Sequence, residues 1–112
     1  MLQSSPFIIR KTQRFERWLH TIRDIKGRGQ VLARLSRLEY GHLGDTRSVG
    51  GSVWELRIHA GPGYRVYFAR IGSRVILLLA GGDKSTQERD IAKAHELAAS
   101  IREEKCYEEP PS

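Results

Sequence analysis

Two short runs joined by Gly61-Pro62-Gly63 constrain this chain more than any other feature. In residues 52–59, Trp54, Leu56 and Ile58 alternate with Val53, Glu55, Arg57 and His59, the period of two that marks a strand packed on one face. Beyond the turn, Tyr64, Val66 and Phe68 repeat the pattern through residue 70, so the two runs form a hairpin. With Trp54, Leu56 and Ile58 on the same face as Tyr64, Val66 and Phe68, that face is a coherent core. A slip of one residue would carry arginines into it, which the cost of burying charge forbids. The register therefore predicts Glu55, Arg57 and His59 beside Arg65 and Tyr67 on the other, non-core face.

The period upstream is helical. Pro6-Phe-Ile-Ile-Arg10 reads as a short opening strand, and Thr12 as the N-cap of a helix that aligns Phe15, Trp18, Leu19 and Ile22. Asp24 caps a second helix, whose apolar stripe is Leu32, Leu35 and Leu38 and whose end is Gly41. Gly27 and Gly29 fall in its first turns, where each costs roughly 1 kcal/mol of helix propensity. Two such helices with a short break predict an antiparallel helical hairpin. Downstream of the strand hairpin, residues 74–80 are apolar without alternation, as in a central strand covered on both faces. Gly81-Gly82-Asp83-Lys84 reads as a loop. Ser85-x-x-Glu88 is a capping-box pattern for a terminal helix along Ile91, Ala94, Leu97, Ala98 and Ile101. The order is strand, two helices, a meander of about four strands, and a helix: an α+β fold with helices laid on a small antiparallel sheet.

With 112 residues, one domain is expected over residues 1–102, followed by a polar tail over 103–112. A single cysteine, Cys106, excludes an internal disulfide framework and a cysteine-based zinc site. His20, His42 and His95 are scattered and read as structural, so neither a metal centre nor a cofactor is expected. The longest apolar run, residues 75–80, is far shorter than the roughly 20 residues of a membrane helix, and residues 2–7 do not form a secretory leader. The expected compartment is the cytoplasm.

Charge points to a partner. The formal net charge is +6, but it is unevenly spread: residues 1–82 hold fourteen basic and five acidic side chains, and residues 83–112 hold five and eight. Fourteen of the nineteen cations are arginine, the side chain suited to forked phosphate binding and to stacking on bases. A polyanion such as nucleic acid and an acidic protein both satisfy this arithmetic.

The second face of the hairpin is where chemistry is expected. Arg57 and Arg65, joined by Lys84 just past the next strand, form a cationic cluster suited to a phosphate. Glu55, His59, Tyr67 and Asp83 are the groups able to move protons. Such a set fits metal-free cleavage of RNA, in which a 2′-hydroxyl attacks in line while cations steady the phosphorane. The ordinary alternative for Arg57 and Arg65 is a cross-strand ion pair with Glu55; for His59 it is a solvent-facing strand position. Trp18 and Trp54 are read as core.

Several strings taken in order carry a resemblance. Arg34-Leu-Ser-Arg-Leu38, Gly41-His-Leu-Gly-Asp45, Trp54-Glu-Leu-Arg-Ile58, Gly61-Pro-Gly-Tyr-Arg-Val-Tyr-Phe68, Leu77-Leu-Leu-Ala-Gly-Gly-Asp-Lys-Ser-Thr-Gln87 and Asp90-Ile-Ala-Lys-Ala94 resemble the HigB-like addiction-module killer proteins of the RelE/ParE superfamily, over about residues 6–100. The resemblance implies a small antiparallel sheet with two N-terminal helices and a C-terminal helix. It implies a toxin restrained by a cognate helix-turn-helix antitoxin, acting on the ribosome and its rRNA as a ribosome-dependent mRNA endonuclease that blocks translation. Arg65 then matches the strand arginine that contacts the scissile phosphate, Lys84 the basic residue after the last strand, and Arg57, more loosely, a commonly basic strand position. The tyrosine that RelE-like enzymes place at the start of the C-terminal segment has no match except Asp90, Tyr107 lying too far into the tail. The general base is thus unassigned, and the ParE-like relatives, which inhibit DNA gyrase without cutting RNA, remain the alternative.

Overall fold

In the computed structural model, which describes residues 6–104 and side chains through residue 101, the elements follow in the order β1 (Ile8–Lys11), α1 (Gln13–Thr21), α2 (Ile25–Glu39), β2 (Thr46–Ser48), β3 (Val53–Ile58), β4 (Tyr64–Ile71), β5 (Val75–Asp83) and α3 (Gln87–Glu104), a 3-10 turn at Lys84–Thr86 joining the last two. Cys106, Tyr107 and most of the expected tail lie outside the described residues. Helix α3 runs to Glu104 and so takes in the first two residues of that expected tail.

The five strands form one sheet in the order β1-β5-β4-β3-β2. Neighbours are antiparallel except at one edge, where β1 pairs with β5 in parallel. The expected antiparallel sheet is therefore mixed, because the chain crosses two helices and three strands before returning beside its own start. The hairpin register is the expected one: Trp54 opposes Phe68, Leu56 opposes Val66 and Ile58 opposes Tyr64. Its turn closes with the Gly63 N–H donating to the Ala60 carbonyl at 2.9 Å, and both turn glycines have positive φ.

Helices α1 and α2 cover one face of the sheet. Phe15, Leu19, Ile22, Val31, Leu35 and Leu38 pack there on Leu56, Ile58, Tyr64, Val66, Phe68, Ile76 and Leu78. Thr12 caps α1 by accepting from the Phe15 N–H at 3.0 Å while its hydroxyl donates to the Leu79 carbonyl at 2.8 Å, which ties the helix start to β5. Asp24 caps α2 as expected, and the chain leaves that helix through Gly41 with positive φ. The buried stripe of α2 is Val31, Leu35 and Leu38, so Leu32, expected in it, is exposed, and so is Trp54 beside the short edge strand.

Helix α3 covers the other face, where Val53, Tyr67, Ala69, Leu77, Leu79 and Ala80 meet Ala94 and Ala98. The face read as non-core is thus a second core over much of its area. Strand β5 extends through Gly81, Gly82 and Asp83 instead of ending at residue 80. Phe68 pairs with Leu78 but Tyr67 with Ala80, so β5 carries one extra residue. Beyond that bulge a Cβ at Gly81 would overlap the Trp18 ring, and one at Gly82 would overlap the Asp90 carboxylate. The two glycines are strand residues squeezed from both sides, and this close approach is why they resemble a loop in sequence. The capping box also sits two residues earlier than expected: Asp83 accepts from the Ser85 N–H at 2.8 Å, and the Thr86 hydroxyl accepts from the Asp83 N–H at 3.3 Å.

Candidate functional site

The register places Arg47 of β2 opposite Glu55 of β3, Glu55 opposite Tyr67 of β4, Arg57 opposite Arg65, and Arg65 opposite Gly82 of β5. Two adjacent rows of the sheet thus bring three arginines to one carboxylate at the N-terminal end of α3. Glu55 is fully buried. Its Oε1 accepts from Arg47 Nε at 2.8 Å and from Arg57 Nε at 3.2 Å. Its Oε2 accepts from Gln87 Nε2 at 2.8 Å and from the Tyr67 hydroxyl at 3.2 Å. Four donors occupy the four lone-pair directions of a carboxylate. Arg65 Nη1 stands 3.4 Å from Oε2, inside ion-pair range, but this buried nitrogen has no hydrogen-bond partner among the described residues.

The electrostatics follow from this packing. Burial pushes the Glu55 carboxyl up, but the hydrogen bonds from Arg47, Gln87 and Arg57 outweigh it and hold the group below its ordinary value. Burial, and next the Glu55 charge, pushes the Tyr67 phenol well above its ordinary value. Glu55, saturated and ionised, is unsuited to take a proton. Tyr67 is enclosed and acts as a support for Glu55. Asp83, the third acidic proton-transfer candidate, is engaged as the cap of the turn before α3. Three guanidiniums against one carboxylate leave an excess of two positive charges, and their side chains grade outward: Arg65 is 11% exposed, Arg57 32% and Arg47 50%.

His59 lies exposed, one residue past the end of β3. Its Nε2 is 2.6 Å from Asp45 Oδ2. The His59 hydrogen bond, against a smaller opposing push from desolvation, holds the Asp45 carboxyl below its ordinary value. A carboxylate accepts, so this bond puts the proton of a neutral His59 on Nε2 and leaves Nδ1 as a base. Lys84 begins the 3-10 turn, its Cβ near the turn at Gly63, and lines an open cleft of about 500 Å³ with Gln87 and Arg89. A cleft of about 610 Å³ lies elsewhere, between β1 and α2, lined by Phe7, Ile9, Leu32 and Leu35. It holds none of the arginines that converge on Glu55.

Arg57 and Arg65 are therefore brought together as expected, with Tyr67 beneath them. His59 and Asp83 are each engaged with a local partner. Arg47 and Gln87 were missed. Arg47 follows a glycine-rich loop, and only its pairing with Glu55 places it on this face. Gln87 stands one turn before the stripe of α3, where sequence gives no reason to aim it at the sheet.

The architecture is that of the RelE fold. The chain aligns with a double arginine-to-alanine mutant of E. coli toxin RelE in the free state with a TM-score of 0.66, over 83% of this chain and 97% of that one, at 17% sequence identity. The chain belongs to the phage-derived Gp49-like protein family, whose model matches residues 18–101. It is also 41% identical over 93 residues to an uncharacterized protein of Haemophilus influenzae, covering 83% of this chain and 94% of that relative.

Proposed function

We propose that this protein is the HigB-like toxin of a toxin–antitoxin module and that it acts in the cytoplasm as a ribosome-dependent mRNA endonuclease. The observation that carries this reading is the convergence of Arg47, Arg57 and Arg65 on buried Glu55, a preorganised cationic surface with charge to spare. The RelE fold and the exposed arginines of α1 and α2 add to it, since a basic surface tracks a phosphate backbone through many weak contacts. In the proposed reaction, Arg57 and Arg65 hold the scissile phosphate and stabilise the extra charge of the phosphorane. Lys84 adds a further cation from the start of the 3-10 turn. His59 Nδ1, left free by the Asp45 contact, takes the proton of the attacking 2′-hydroxyl. The O2′–P bond forms as the P–O5′ bond breaks, the departing 5′-oxygen takes a proton from water, and a 2′,3′-cyclic phosphate is left. A cognate helix-turn-helix antitoxin restrains the activity.

One observation favours a second reading. Glu55, Tyr67 and Asp83 are all engaged in holding the fold, which leaves His59 alone as a base and keeps open a non-catalytic, ParE-like inhibitor of DNA gyrase. Expression of the toxin followed by primer extension on a translated message separates the two. Codon-linked cuts are expected, and they disappear with Arg65→Ala while antitoxin binding stays intact. Intact mRNA together with induced DNA damage sinks the nuclease reading. Toxicity that survives Arg65→Ala removes the site assignment.

A further inference from the structure

We infer that Glu55 is a positioning residue that fixes Arg57 and Arg65 in the geometry a phosphate needs, and that it takes no part in proton transfer. This rests on the nuclease reading above and assigns that site its organising group. A long, free arginine carries a large rotamer entropy, which a phosphate contact must overcome. Here the loss is met before substrate arrives. Arg57 is held through Nε, the inner nitrogen of its fork, at 3.2 Å from Glu55 Oε1, which leaves its two terminal nitrogens unused by Glu55. Arg65 is held only by proximity, at 3.4 Å and with no hydrogen bond made by its buried Nη1. No hydrogen bond fixes Arg65 to the carboxylate, so its place depends on the Glu55 charge, and the 11% of its side chain that is exposed is the part a ligand oxygen can reach.

The carboxylate is itself fixed from three strands and a helix: Arg47 from β2, Arg57 from its own strand, the Tyr67 hydroxyl from β4 and Gln87 from α3. Neither oxygen has a free lone pair or an exposed path, which separates this role from that of a general base. The same carboxylate partly neutralises the arginines it holds, so it weakens anion binding while it improves geometry. That opposition supplies the test, because a residue that only stabilises the fold would not show it.

Glu55→Gln keeps the shape and removes the charge. On translating ribosomes, E55Q is expected to cleave with a kcat lower by roughly 100-fold, the loss typical of a misplaced reacting geometry. Affinity for a short RNA oligonucleotide is expected to stay equal or rise, with a steeper salt dependence for the added positive charge. In 15N-labelled protein the Nε–H signal of Arg57, bonded to Glu55 at 3.2 Å in the wild type, is expected to shift and to exchange faster with water. An unchanged kcat in folded E55Q, or an unchanged Arg57 signal, overturns the inference. Should E55Q fail to fold, Gln87→Met removes one donor to Glu55 at no change of charge and is expected to lower kcat severalfold with KM held; no change in kcat there overturns the inference equally. R65A separates the two levels: if it cleaves like the wild type, the nuclease site itself is wrong, whereas inactive R65A beside fully active E55Q removes only the role of Glu55.

Discussion

Gly82→Ala tests whether the site depends on how tightly β5 and α3 approach each other. Gly82 opposes Arg65 on one side, and on its α3 face a Cβ would overlap the Asp90 carboxylate and lie 2.8 Å from the Thr86 hydroxyl, against 3.4 Å or more for an ordinary contact. Neither neighbour yields easily. Asp90 is buried and accepts a short hydrogen bond from that same Thr86 hydroxyl, and Thr86 belongs to the capping box of the 3-10 turn that leads into α3. Overpacking of this kind costs about 1–3 kcal/mol, and straining a hydrogen bond to a charged group adds about 1.5 kcal/mol. Loss of the glycine's backbone freedom in the unfolded chain returns about 0.5–1 kcal/mol. The net is a destabilisation of about 1.5–4 kcal/mol, which in a domain of this size lowers Tm by roughly 5–15 °C. The matched control is Gly29→Ala in α2, where a Cβ meets nothing within 4 Å and the helix gains about 0.5–1 kcal/mol. Urea and thermal unfolding of the two variants should therefore move in opposite directions. If Gly82→Ala unfolds within 0.5 kcal/mol of the wild type, the argument from close approach is wrong. Because Gln87 begins α3 and reaches Glu55 at 2.8 Å, the same substitution should also loosen the arginine cluster.

Two further outcomes follow from the same geometry. Tyr67→Phe keeps the ring in its core position but deletes the hydroxyl that donates to the buried Glu55 carboxylate, so urea unfolding should show a loss of about 1.5–3 kcal/mol with the fold intact. His59→Ala should raise the Asp45 carboxyl toward its ordinary value, as read by a carboxyl NMR titration. A carboxyl held low in the folded state contributes stability above its unfolded value, near pH 4, and loses it as pH falls through the folded value. The variant should accordingly match the wild type in strong acid and differ from it at neutral pH.

The hairpin's two faces were legible from its alternation: a slip of one residue within 52–70 drives Arg57 or Arg65 into the apolar face. Thr12 and Asp24 were legible as caps because their chemistry is local. What stayed hidden depends on segments distant in the chain. Ile8 and Ile9 mark a strand but carry no sign of its direction, so the parallel pairing with β5 could not be read. Gly81 and Gly82 have the composition of a loop, and only Trp18 on one side and Asp90 on the other make them strand residues. The same limit explains the site. Glu55 and Arg57 were placed on one face by alternation, but Arg47 joins them through an edge strand of three residues, too short to show a period. Gln87 joins them only through the descent of α3.

The second sheet face does two jobs, and the position of α3 divides them. Toward the far end of β4 and the body of the helix, Ala69, Leu77, Ala94 and Ala98 make an apolar contact of small side chains that brings helix and sheet close. Toward the N-terminal turn of α3 the same face carries Arg65, largely covered beside Glu55, and the more exposed Arg57. Tyr67 stands at the boundary, its ring within the core and its hydroxyl on Glu55. Glu55 is in turn the group that makes burial of the arginine stems tolerable. Three arginines alone would repel one another, while a second carboxylate would halve the positive excess that the first one leaves. One buried carboxylate, fully satisfied, holds the charges together and leaves an excess pointing to a ligand.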